Sequence, residues 1–176
     1  MMRLTTGLQV NLDFENEAQA VSMLQAAFRI APVMATMFAN SPYLYGKATG
    51  RLSERHEIWR DTDPKRSGMI RTVLDADFSL KKYAEVITSI PLMYQFDLEG
   101  NAVDPHGKAY RDLSPELQKV NALSTMRQLF SEVRLKPCCV EVRYFDQLED
   151  PDRYAATAMI VGLLYDEENR EAIRTK

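Results

Sequence analysis

An α+β fold, with a largely antiparallel sheet and helices on one of its faces, is what this 176-residue sequence predicts, on three observations. Residues Gly7 to Phe14 alternate without a break, so strand geometry puts Leu8, Val10, Leu12 and Phe14 on one face and Gln9, Asn11 and Asp13 on the other. Cys139 to Phe145 repeats the design, with Val140, Val142 and Tyr144 opposite Glu141 and Arg143. Helical segments stand among the strands in mixed order, with hairpin-like turns, which favours α+β. A sheet apolar on one side is backed by helices there. Its other side, bearing amides, a carboxylate and an arginine, can hold a polar ligand.

The remaining elements follow in chain order. Asn16 is a suitable N-cap for a helix reaching Ile30, with Val21, Leu24, Phe28 and Ala31 at helical spacing. Pro32 breaks or restarts this helix, and Val33 to Ala39 forms a short apolar helical piece that ends at Asn40-Ser41-Pro42. From Ser41 to Gly68 the spacing is irregular and includes the only tryptophan, Trp59, with Arg51, Arg55, Arg60 and Arg66. So long a segment without periodicity reads as a substrate loop. Ser79 caps a helix to Ile90, stopped by Pro91; Leu92 to Phe96 is a strand turning at Glu99-Gly100-Asn101. Ser114-Pro115-Glu116 opens a helix to Phe130, having serine at the N-cap and proline at the first helical position. Pro151-Asp152-Arg153 opens another, whose stretch Ala155 to Leu164 is apolar nearly all round and so belongs in the core.

The length suits a single domain over residues 1–176, and a 45% hydrophobic share is enough for a core. A net charge of -3 speaks against a nucleic-acid partner. No apolar run reads as long enough to span a bilayer, so no membrane partner is expected. The N-terminus begins with polar residues almost at once, unlike a signal peptide. The two cysteines, Cys138 and Cys139, are neighbours and point to opposite sides of a strand, so a disulfide between them would be badly strained. The chain thus reads as reduced and cytoplasmic. His56 and His106 have no second histidine or cysteine at ligand spacing, which argues against zinc.

Several blocks, in order, resemble the glutamate–cysteine ligases of the plant and proteobacterial type: Gln9 to Phe14, Phe38 to Pro42, Glu57 to Asp63, Arg66 to Met69, Phe130 to Lys136, Glu141 to Arg143 and Gly162 to Asp166. The resemblance implies a glutamine synthetase-like catalytic fold. It also implies ATP- and magnesium-dependent formation of a γ-glutamyl amide between glutamate and cysteine, or another small amine, through an acyl-phosphate, as in glutathione biosynthesis. Phosphoryl transfer to a carboxylate needs magnesium to neutralise charge, and magnesium takes oxygen ligands. An amino-acid carboxylate wants an arginine fork, and phosphates want further arginine or lysine.

By motif, the resemblance implies magnesium ligation by Glu141 and Gln9, and a catalytic role for Arg143 at the phosphate or transition state. It implies glutamate binding by Arg55, with Trp59, Thr62 and Asn11, and places Tyr94 at the second amino-acid pocket. Arg134, Lys136 and Arg66 would contact the nucleotide. Taken singly, each has a plainer reading. Glu141 with Arg143 suits a surface pair, Gln9, Asn11 and Asp13 a solvated strand face, and Trp59 ordinary packing. The ordered set of blocks carries the assignment.

Members of the resembled family are longer, and the match falls in the middle-to-late part of their catalytic domain. No Glu-x-Glu strand stands before Thr5, and Pro137-Cys138-Cys139, Tyr144-Phe145 and His56-Glu57 depart from the family pattern. The expectation is therefore an incomplete catalytic domain that forms a homo-oligomer or meets a partner chain supplying the rest. The alternative is a non-catalytic amino-acid- or nucleotide-binding or assembly module.

Overall fold

The computed structural model describes residues 4–175. Its centre is a three-stranded antiparallel sheet of β1 (Val10–Asp13), β8 (Val133–Leu135) and β9 (Cys139–Val142), in the order β1-β9-β8. Four further short strands pair outside it as antiparallel hairpins: β2 (Tyr43–Leu44) with β3 (Lys47–Ala48), and β5 (Gln95–Phe96) with β6 (Ala102–Val103). The only parallel pair of strands among the described residues joins β4 (Ser67–Gly68) to β7 (Phe130–Ser131), beside an isolated parallel bridge between Ser41 and Ser53. The helices are α1 (Glu17–Met37), α2 (Glu54–Thr62), α3 (Leu80–Ser89), α4 (Pro115–Arg127), α5 (Asp152–Tyr165) and α6 (Glu167–Thr175). The α+β expectation holds, with sheet pairing mainly antiparallel.

Register explains the two faces of the sheet. Val10 lies opposite Val142, and Leu12 opposite Val140, with Val133 and Leu135 continuing those rows on β8. This apolar side packs on α1, which buries Met23, Leu24, Ala27, Phe28, Ala31 and Met34. The other side aligns Asn11, Glu141 and Arg134 in one row.

Four expectations need correction. Helix α1 runs unbroken through Pro32, and the Thr36 hydroxyl donates to the Pro32 carbonyl (2.7 Å). This helix is also long and apolar enough to cross a membrane by length and composition, contrary to the sequence reading. Its packing against the sheet, α5 and α6 accounts for that apolar character as a core helix. The segment 41–68 is not irregular: it holds the β2–β3 hairpin, turning through Tyr45 and Gly46 at positive φ, and the helix α2. Finally, α5 buries only the stripe Ala156, Ile160 and Leu164, while Tyr154 and Val161 are exposed. Helix α6 had no sequence expectation. Its buried Arg170 donates to the Leu164 and Tyr165 carbonyls (2.8 and 2.7 Å), neutralising the α5 C-terminus.

Candidate active site

Helix α2 begins at Ser53, whose hydroxyl accepts from the His56 amide. The helix is sparsely apolar, and one reason it is held in place is Asp146, which is 1% exposed. The Asp146 carboxylate accepts from the Asn40 amide (2.7 Å), the Ser41 hydroxyl (2.8 Å) and the Ser53 hydroxyl (2.9 Å). One buried anion thus ties the end of α1, the start of α2 and the segment after β9 together.

That anchoring sets α2 along a cavity of about 380 Å³. The helix contributes Arg55, His56, Glu57, Trp59 and Arg60; the β4–β7 junction contributes Gly68, Met69, Phe130 and Ser131; and Glu132, Arg143 and Tyr144 complete the wall. Arg55 is buried, its amide donating to the Ser41 hydroxyl (3.1 Å) and its guanidinium to the Arg143 carbonyl (2.8 Å). Gly7 packs against it so closely that a Cβ there would lie 2.8 Å from the Arg55 Nε and 2.6 Å from the Phe145 carbonyl oxygen. The second contact is with backbone, which cannot swing aside, so glycine is required at this close approach.

The charges in this cavity are desolvated. Burial lowers the Arg55 pKa against the raising charge of Asp146, and burial with the charge of Arg134 lowers that of Arg143 against Glu141. Burial raises the Glu132 carboxyl, with Arg55 opposing, and also raises the Tyr144 phenol. Burial and then Arg55 lower the His56 pKa, so its imidazole is neutral at pH 7.

Beside the cavity, on the polar side of the sheet, Glu141 is 1% exposed and meets three cations. Its Oε2 accepts from Arg134 Nε (2.7 Å) and Arg143 (3.1 Å), and its Oε1 contacts Lys136 Nζ (2.6 Å). Lys136 also donates to Asn11 (3.2 Å). Burial pushes the Glu141 carboxyl up, but the Lys136 hydrogen bond and the charges of Arg134 and Arg143 prevail and hold it below the usual carboxylate range. Arg143 belongs to both places: it lines the cavity and joins the cation row.

The structure brings Arg55, Trp59 and Arg143 to the cavity, and Asn11, Arg134, Lys136, Arg143 and Glu141 to the sheet face. It does not bring Thr62, Arg66 or Tyr94 to either place, and Gln9 makes no side-chain hydrogen bond to the cation row among the described residues. The Thr62 hydroxyl donates back to the Ile58 carbonyl of its own helix. Arg66 is buried, its guanidinium bound to Asp63 and the Pro91 carbonyl. Tyr94 packs on Phe96 in the β5–β6 hairpin region (5.6 Å between ring centres). Gln9 is exposed just ahead of β1. Glu132 and Asp146 were not singled out by the sequence reading. Glu132 follows β7 directly and precedes β8, a position whose orientation no period could fix.

A family model described as glutamate-cysteine ligase family 2 (GCS2) matches residues 1–175. The chain is 35% identical to chloroplastic glutamate–cysteine ligases of Brassica juncea and Arabidopsis thaliana, and to ligase B of Oryza sativa subsp. japonica. Each match covers 98% of this chain. The chain belongs to glutamate–cysteine ligase family 2. It spans about a third of the length of these curated relatives, 34–36%. Most of the blocks on which the family resemblance rests converge on one region. Glu57 to Asp63, Arg66 to Met69 and Phe130 to Lys136 each supply some residues of the cavity wall, Glu141 to Arg143 links it to the cation row, and Phe38 to Pro42 is fastened to Asp146. The Gly162 to Asp166 block lies apart on α5, where the Tyr165 hydroxyl donates to Asp13.

Proposed function

We propose that this chain carries the glutamate-binding cavity and the nucleotide-phosphate face of an ATP- and magnesium-dependent glutamate–cysteine ligase. The observation that carries this reading is Arg143, which lines a cavity able to hold an amino acid and at the same time belongs to a row of cations suited to phosphate. In this reading Arg55 holds a glutamate carboxylate in the cavity, with Trp59 as one wall. Arg134, Lys136 and Arg143 hold the phosphates of ATP along the sheet face.

In this reading the reaction runs in two steps. A γ-carboxylate oxygen of glutamate attacks the terminal phosphorus of ATP, ADP leaves, and an acyl-phosphate forms. The amine of cysteine then attacks the acyl carbon, phosphate leaves with the bonding pair, and the amine gives up a proton. Arg143 stands where charge develops in both steps and stabilises it without reorganising. Magnesium accompanies ATP in this chemistry, but the donor set around Glu141 does not fit it. Three cations occupy that carboxylate, and among the described residues there is no cluster of three or more acidic, histidine or cysteine side chains that could hold a metal. Glu141 therefore serves to hold the three cations in their row.

The test is ADP release by the purified chain, given ATP, magnesium and glutamate, with and without cysteine. Release dependent on both amino acids supports the ligase reading, with a second copy or a partner chain supplying what one copy lacks. Glutamate binding with no ADP release would instead assign the chain to binding alone, as a module related to the ligases.

A further inference from the structure

Glu132 and Arg55 carry opposite charges into the same cavity without closing on each other. Among the described residues the Glu132 carboxylate has no hydrogen bond or ion pair, and the Arg55 guanidinium has no ion pair, only the Arg143 carbonyl. An ordinary structural pair closes to contact, since a desolvated charge without a partner is costly. Here both costs are retained. The two side chains are held on separate supports: Arg55 on α2 behind Gly7, and Glu132 between β7 and β8, its amide donating to the Gly68 carbonyl (3.1 Å). Each senses the other's charge across the gap. The Tyr144 hydroxyl, buried and also without a partner, lines the same cavity and feels the charge of Glu132.

A fixed cation and a fixed anion lining one cavity complement a molecule with a carboxylate and an ammonium on one carbon. We propose that Glu132 is a specificity-determining residue that accepts the α-ammonium of the bound amino acid while Arg55 takes its α-carboxylate. This rests on the glutamate-site reading above and deepens it, because it says why an amino acid is bound in preference to a plain dicarboxylate. The γ-carboxylate then extends towards Arg143, the group shared with the cation row.

The test is calorimetric titration of the purified chain with L-glutamate and with glutarate, which keeps both carboxylates and lacks the ammonium. The unaltered chain is expected to prefer glutamate about tenfold or more, the range of one charge-assisted hydrogen bond. Glu132→Gln is expected to lose that preference through weaker glutamate binding, with glutarate binding unchanged or tighter. Equal affinity of the unaltered chain for the two ligands overturns the proposal without needing the variant, and so does a folded Glu132→Gln chain that keeps its preference. Binding of neither ligand to the unaltered chain overturns the glutamate-site reading itself, and the Glu132 role with it.

Discussion

Glu141 shows at the residue scale how a strand's polar face becomes interior. Alternation alone puts it among solvated residues, yet Arg134, Lys136 and Arg143 close over it until 1% remains exposed. Glu141→Gln leaves three neighbouring cations without their anion, so it should cost about 3 kcal/mol of stability, the range for breaking a buried pair. The sign with pH follows from the direction of its shift. Its folded pKa is depressed, so its contribution is complete above the unfolded carboxylate pKa and disappears as pH falls through the folded value. Urea midpoints of the two chains should therefore differ at neutral pH and converge in acid, and a gap independent of pH would remove the charge argument. Glu132 titrates with the opposite sign, which is why the difference between the two chains is the quantity to follow. Period-2 reasoning on two strands was enough to place Glu141 and Arg143 on one face. It could not separate the arginine on the site from Arg66, whose guanidinium is taken by Asp63 and by the Pro91 carbonyl, the latter 25 residues away.

Among the elements, α1 and α2 mark where local signals lost to packing. Pro32 removes a helical donor and crowds the preceding turn, a penalty of roughly 3 kcal/mol that ordinarily ends a helix. The helix continues because it packs against the sheet, α5 and α6 along its length, and because Thr36 engages the Pro32 carbonyl. Pro32 itself is exposed, so replacing it removes little packing. Pro32→Ala should thus raise the urea midpoint, by about 1–3 kcal/mol in stability. A drop would mean that the proline sets a bend the fold requires. Helix α2 was hidden for the opposite reason. It has a serine cap and two glutamates in its first turn, but Ile58 and Trp59 alone give no apolar period. Its place is decided by Asp146, 93 residues from Ser53. The helices opening at Ser79 and Ser114 were legible because cap, proline and spacing agree there.

For the whole molecule, the central sheet treats its two edges differently. The outer side of β8 is satisfied by side chains: the Leu135 amide donates to the Tyr83 hydroxyl (2.9 Å), and the Val133 carbonyl accepts from Ser131 (2.6 Å). Tyr83 is buried, which pushes its phenol up to about 12 and keeps it protonated for this role. Strand β1 has β9 on one side and, among the described residues, no strand on the other. An edge of this kind, with apolar Val10 and Leu12 facing inward, is a template for another strand. The exposed Tyr154, Val161 and Tyr165 on α5, which packs on β1, add apolar surface nearby. With a net charge of only -3, long-range repulsion does little to keep copies apart. The expected state in solution is therefore self-association, with light scattering giving at least twice the 20.2 kDa chain mass and rising with concentration. A constant mass of 20.2 kDa across concentrations would show that β1 is blunted by its own flanking groups. The neighbouring Asn11 and Lys136 would then be open to solvent and ligand rather than to a second strand.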